Sequence, residues 1–186
     1  MRKGLLVKAV AAIALLAFVT AMAPLADYLP VGSEAPGFES IATDGETYSV
    51  ENLTTKGSAF FVFWKGSCPH NRRAAPIFNA MKETYGDKVN ILGVVTTSDE
   101  NIKKWAQEFS VNYPMVSDAD GSMTDAYSLT YSIFTYQIDA DGKVAAVFEG
   151  YGFDAMNNLN KAIAEAAGVD AAEIDLGGAP TRLTKG

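Results

Sequence analysis

The chain has 186 residues, is 48% apolar and 20% charged, and sets 15 Lys+Arg against 22 Asp+Glu. That length fits one domain with an ordinary core, and the composition is that of a folded globular chain rather than a disordered or fibrous one. The acidic balance argues against a nucleic-acid partner, because phosphate binding needs a basic face.

The first 26 residues stand apart. Arg2, Lys3 and Lys8 precede the apolar run "AVAAIALLAFVTAMAPLA" (9–26), and no acidic residue appears before Asp27. A basic start, an apolar stretch and small residues such as Ala21 and Ala23 are the pattern of a signal peptide. The run is also long enough for an uncleaved membrane anchor, so both readings stay open. Either way the positive flank predicts that the remainder lies outside the cytoplasm, periplasmic or secreted, with membrane contact only through this segment. Without it, 12 basic residues face 22 acidic ones, a balance of −10.

In chain order, "YLPVGSEAPGF" (28–38) is punctuated by Pro and Gly and reads as a linker entering the domain. Residues 46–53 alternate loosely, as a short strand does. Residues 58–64, "SAFFVFW", are nearly all apolar, the signature of a strand buried on both faces. From 69 to 85 the apolar residues fall at helical spacing, with Pro69 in the first turn and Pro76 as an internal kink. Residues 88–96 form a second buried strand. Residues 98–109 form a capped helix with Ile102, Trp105, Ala106 and Phe109 on one face. "YPMVSDADGSM" (113–123) reads as a loop. Residues 132–150 form a hairpin closing on Asp141-Gly142, and 154–168 a last helix ending at Gly168. The tail, 169–186, has no strong period and is expected to be mobile. Strands alternating with helices, then a terminal hairpin, predict an α/β fold: a mixed central sheet flanked by helices, spanning 27–168.

This order resembles the thioredoxin-like superfamily, in its extracytoplasmic TlpA/ResA and AhpC/TSA (redoxin) branch. "VGSEAPGF" with "DGETYSVENLTTKG" is similar to that family's domain entry. "FVFWKGSCPHN" is similar to its strand-to-active-site pattern F-W-x-x-x-C-P-x-C, and Pro76 lies where thioredoxins carry a helix-kinking proline. "YQIDADGKVAAVFEGY" is similar to its hairpin. The resemblance covers roughly 31–168 and implies thiol-dependent redox chemistry without a cofactor. Several departures bear on that chemistry. Asn71 stands in the resolving-cysteine place. Ile133 falls where the family's cis-proline faces the active cysteine and helps to hold bound peptide. The peroxiredoxin pattern is missing, with Lys65 in its threonine place and Phe61 in its proline place. The strand carries no buried carboxylate to accept a proton.

Cys68, the only cysteine, is the candidate nucleophile. A helix N-terminus and the adjacent His70, the only histidine, favour the thiolate, as do Lys65, Arg72 and Arg73. The plainer reading is a small buried hydrophobe. Asn71 belongs to the candidate catalytic set by its place, and Trp64 and Ile133 to a candidate substrate-binding set. Arg72 and Arg73 read as a solvated helix face. "SDADGS" and "IDADGK" lack the terminal ligands of a calcium loop and read as turns. Cys68 and His70 are too few for a metal site. With one thiol, turnover requires a partner from outside the chain, a protein thiol or disulfide or a small thiol. The rival expectation is a binding or scaffold module that keeps the fold without the redox activity.

Overall fold

A computed structural model of the protein describes residues 28–182. The expected signal peptide or anchor lies outside the described residues. The elements run β1 (Glu39–Ile41), β2 (Thr47–Ser49), α1 (Val50–Thr54), β3 (Ala59–Lys65), α2 (Asn71–Tyr85), β4 (Asn90–Thr96), α3 (Asp99–Glu108), β5 (Met115–Ser117), α4 (Ser122–Ala126), β6 (Phe134–Ile138), β7 (Val144–Glu149) and α5 (Phe153–Ala166).

Five strands form one mixed sheet in the order β5-β4-β3-β6-β7, and β1 and β2 form a separate hairpin. The strands β3, β4 and β5 are parallel, whereas β6 and β7 add antiparallel pairs. Strand β3 lies at the centre because it has an apolar residue at every position but the last. Side chains alternate across a strand, so each sheet face receives half of them. Phe60, Val62 and Trp64 join Ala74, Ile77, Phe78 and Met81 of α2 and Met156, Leu159 and Ile163 of α5 in one core layer. Phe61 and Phe63 join Leu53, Tyr127, Leu129, Phe134 and Tyr136 in the other.

Local structure departs from the sequence reading in several places. The segment 46–53 is split: Ser49 ends β2 and caps α1, its hydroxyl accepting from the Asn52 amide while the Asn52 carboxamide accepts from the Ser49 amide. The expected loop 113–123 contains β5 and the start of α4. Asp118 makes that turn, its carboxylate accepting from the Met123 and Thr124 amides and the Thr124 hydroxyl. Asp139 does the same in the hairpin, accepting from the Asp141 and Lys143 amides, so both acidic fragments serve as turns. The supposed linker lies along the hairpin: Gly32 donates to Val144 and Ala35 to Gly142. Its composition does not show that the outer edge of β7 leaves backbone groups for it to pair. Of the tail, residues 169–182 form no helix or strand among the described residues, yet Ile174, Leu176 and Ala179 pack on the α2–α5 core and the Pro180 carbonyl accepts the Phe153 amide.

Candidate active site

The register of β3 with β4 and β6 places its C-terminal end beside Thr96 and just past Phe134. From Lys65 the chain turns through Gly66, Ser67, Cys68, Pro69 and His70 into α2. The Cys68 amide donates to the Lys65 carbonyl at 2.9 Å, and the Asn71 amide donates to the Cys68 carbonyl at 3.2 Å. Cys68 and Pro69 therefore sit in a turn ahead of the helix, not in its first turn as expected. His70 is the capping residue but makes no side-chain cap. The first amide of α2 is spent on the Cys68 carbonyl, and those of Arg73 and Ala74 on the His70 carbonyl. Cys68 is buried at 6% exposure, so a partner's approach to it is narrow.

Close packing fixes the loop. The Trp105 indole N–H donates to the Gly66 carbonyl at 3.1 Å, and the Gly66 amide donates to the Thr96 hydroxyl. A Cβ on Gly66 would come within 2.7 Å of the Thr96 carbonyl oxygen. The Lys65 amide donates to the buried Ser132 hydroxyl at 3.0 Å, which brings Ile133 to the same end of the sheet. The Ser132–Ile133 peptide is cis.

The expected site residues take different positions. Asn71 is fully buried, and its Nδ2 donates to the Lys65 carbonyl at 3.0 Å. Its Oδ1 is buried without a hydrogen-bond partner among the described residues. This side chain thus ties the start of the helix to the loop. Trp64 packs edge-on to Phe78 and Trp105, with ring centroids 5.1 and 5.7 Å away. Ile133 is 1% exposed within the same core layer, and its carbonyl accepts from the Gly150 amide. Both are 1% exposed, and Trp64 also lines the cavity beside the loop. Arg72 bonds Glu108 at 3.0 Å on an exposed face and lies over the Phe109 ring. That pair is worth little to stability at the surface. Beside the loop, Lys65, Thr96, Thr124, Leu129 and Ser132 help to line a cavity of about 170 Å³.

His70 has a partner that sequence reasoning missed. Its Nδ1 lies 3.1 Å from the hydroxyl of Tyr151, which is 1% exposed. The two rings are 5.5 Å apart. Tyr151 follows β7 by two residues and comes to α2 only through the fold. The sequence offers just an aromatic after Glu149-Gly150, a signal common to many core residues.

A central mixed sheet whose buried strand runs through a cysteine turn into a proline-containing helix, with a closing hairpin and helix, defines the thioredoxin-like class. Within it, residues 31–147 match the model of the AhpC/TSA family, and the chain belongs to that family. It is 31% identical over 122 residues to the thiol-disulfide oxidoreductase ResA of Geobacillus thermodenitrificans (strain NG80-2), covering 64% of this chain and 70% of that protein. It is likewise 31% identical over 121 residues to ResA of Bacillus subtilis (strain 168), covering 64% and 67%. In structure it is similar to a putative protein disulfide isomerase from Bacteroides thetaiotaomicron, with a TM-score of 0.68, 21% identity, and coverage of 75% of this chain and 91% of that one. That last likeness concerns the fold alone.

Proposed function

We propose that the protein is an exported thiol-disulfide oxidoreductase that works through a single nucleophile, Cys68. The observation that carries this reading is the placement of Cys68 in the turn between β3 and α2, with Asn71 where a second thiol would stand. Thiol-disulfide oxidoreductases among the relatives supply the class of reaction. The Cys68 thiolate attacks one sulfur of a partner's disulfide. A bond forms from Cys68 to that sulfur, the partner's S–S bond breaks, and its other sulfur leaves as a thiolate that takes up a proton. A thiol from outside then attacks the Cys68 sulfur of the mixed disulfide, forming a disulfide with Cys68 and releasing the partner's first sulfur as a thiolate that takes up a proton; a second outside thiol attacks that new disulfide and restores Cys68. The partner's disulfide is reduced to two thiols, and the two outside thiols are oxidised to one disulfide.

The burial of Cys68 favours one rival, a binding module that keeps the fold without redox activity. The discriminating measurement is the rate of Cys68 alkylation against pH, together with non-reducing electrophoresis after exposure to a disulfide-bonded protein. The oxidoreductase reading expects an adduct that is absent from Cys68→Ser, released by added thiol, and not turned over without it. An alkylation rate no faster than that of a free cysteine peptide, with no adduct, would establish the rival. Efficient turnover without added thiol would contradict the single-thiol mechanism.

A further inference from the structure

The segment after α5 meets both elements that carry the His70–Tyr151 pair. At its start, the Ala172 amide donates to the Tyr85 hydroxyl at 3.1 Å, and the Ala172 carbonyl accepts from Asn160 Nδ2 at 2.8 Å. The Tyr85 hydroxyl in turn donates to Asn160 Oδ1 at 2.7 Å, closing a polar clamp at the far end of α2. Leu176 and Ala179 then pack on the core as the chain runs back towards the site. At Gly178 it approaches the first turn of α2 so closely that a Cβ would lie 3.1 Å from the Arg73 carbonyl oxygen. Two residues on, the Pro180 carbonyl accepts the Phe153 amide, the first amide of α5, at 2.8 Å. Arg73 is three residues from His70, and Phe153 is two from Tyr151.

We propose that residues 172–180 are a positioning strap that holds the N-terminal ends of α2 and α5 together and so sets the Tyr151–His70 contact, two residues along the chain from Cys68. A helix begins with amides that lack partners inside it. The strap satisfies one at α5 and abuts the backbone at α2, so the spacing of the two helix ends is fixed by a chain segment rather than by side chains alone. The Tyr151 hydroxyl then fixes which imidazole nitrogen of His70 is engaged and leaves Nε2 outside that contact. The family match ends at residue 147, so the strap lies in a part of the chain for which that match does not speak. Only the last link, from His70 to the thiol, rests on the redox reading.

His70 is the only histidine, so its ring gives a single set of NMR signals that reports on the pair directly. Three variants of the full chain are informative. Tyr151→Phe removes the hydroxyl and keeps the ring. Gly178→Ala pushes the strap from Arg73. Phe153→Pro removes the amide that meets Pro180 at a first helical position, where proline is tolerated; Gly152, at φ −63° and ψ 159°, already has the backbone of a residue preceding proline. At a temperature where all three are folded, the His70 ring signals shift in Tyr151→Phe, and shift the same way but less in the two strap variants. Cys68 alkylation at fixed pH slows by roughly threefold, as it does in His70→Ala. A lowered melting temperature with unmoved His70 signals in both strap variants would overturn the strap. If the His70 signals move while alkylation stays constant in every variant, including His70→Ala, the strap stands and the redox reading of His70 falls.

Discussion

At the scale of single residues, the unusual feature is Asn71. Its amide bonds the Cys68 carbonyl three residues back, the geometry of a tight turn, in which the two Cα atoms lie within about 7 Å. A disulfide spans that separation. Asn71→Cys is therefore expected to form an intramolecular disulfide with Cys68 and to shorten the life of mixed disulfides with partners. The check is thiol counting with and without reductant. A folded variant with two free thiols under oxidising conditions would contradict the placement of this turn. The substitution also removes the Nδ2 bond to Lys65, so its reduced form should be less stable than the wild type by about 1 kcal/mol. That Cys68 lies between β3 and α2 and that Asn71 departs from the family pattern were legible in one short stretch of sequence; that Cys68 and Pro69 stand in a turn ahead of the helix, not in its first turn, was not. The partnership of His70 with Tyr151 was not, because 81 residues separate them.

At the scale of elements, the β3–α2 connection depends on Gly66. Its carbonyl takes the Trp105 indole N–H, and any side chain would meet backbone at Thr96, which cannot rotate away. Gly66→Ala should lower stability by about 1–3 kcal/mol, the usual cost of forcing atoms into a packed site. Denaturant melts measure this, and partner adduct formation should slow in parallel because the loop that carries Cys68 is displaced. Gly93 is a second close approach: a Cβ there would overlap the fully buried Met115 side chain and come within 3.2 Å of the Tyr113 ring, so Gly93→Ala should also lower stability. Helices α2, α3 and α5 were readable from their apolar spacing. Strand β5 and helices α1 and α4 were not, because elements of three or five residues are too short to display a period.

At the scale of the whole molecule, burial ties stability to alkaline pH. Burial pushes the phenols of Tyr113, Tyr127 and Tyr136 well above the ordinary value of 10.0, and pushes Tyr48 up to about 12, with the Asp44 carboxylate adding to it. A tyrosine whose pKa is higher in the folded state than in the unfolded state contributes stability that is complete below the unfolded value. That stability is lost as pH rises past it, because the unfolded chain releases its protons first. Stability should therefore hold up to about pH 10 and fall steeply above it, with tyrosinate absorbance at 295 nm appearing together with loss of near-UV circular dichroism. Tyrosinate absorbance rising fully at that pH in a folded chain would contradict the burial. Export is tested at this scale too. A reporter fused after residue 40 should be active only outside the cytoplasm, and cytoplasmic activity would refute the reading of the basic and apolar N-terminal residues.

The amino-acid sequence by itself determined the α/β class, the buried central strand, the three long helices, the closing hairpin and the position of the lone thiol between the central strand and the helix after it. Each of these is a local pattern: a period, an apolar run, a turn dipeptide or a motif within some ten residues. Tertiary structure alone decided that Tyr151 meets His70, that Trp105 and Thr96 hold Gly66, that Asn71 is spent on backbone, and that the aperiodic tail docks across α2 and α5. Those outcomes depend on which distant groups the folded chain brings together, and a buried polar group takes whatever partner the packing supplies. The tail shows the reason most directly. A segment that pairs its backbone with Tyr85, Asn160 and Phe153 needs no repeating pattern of its own, so its order is written in residues of other elements.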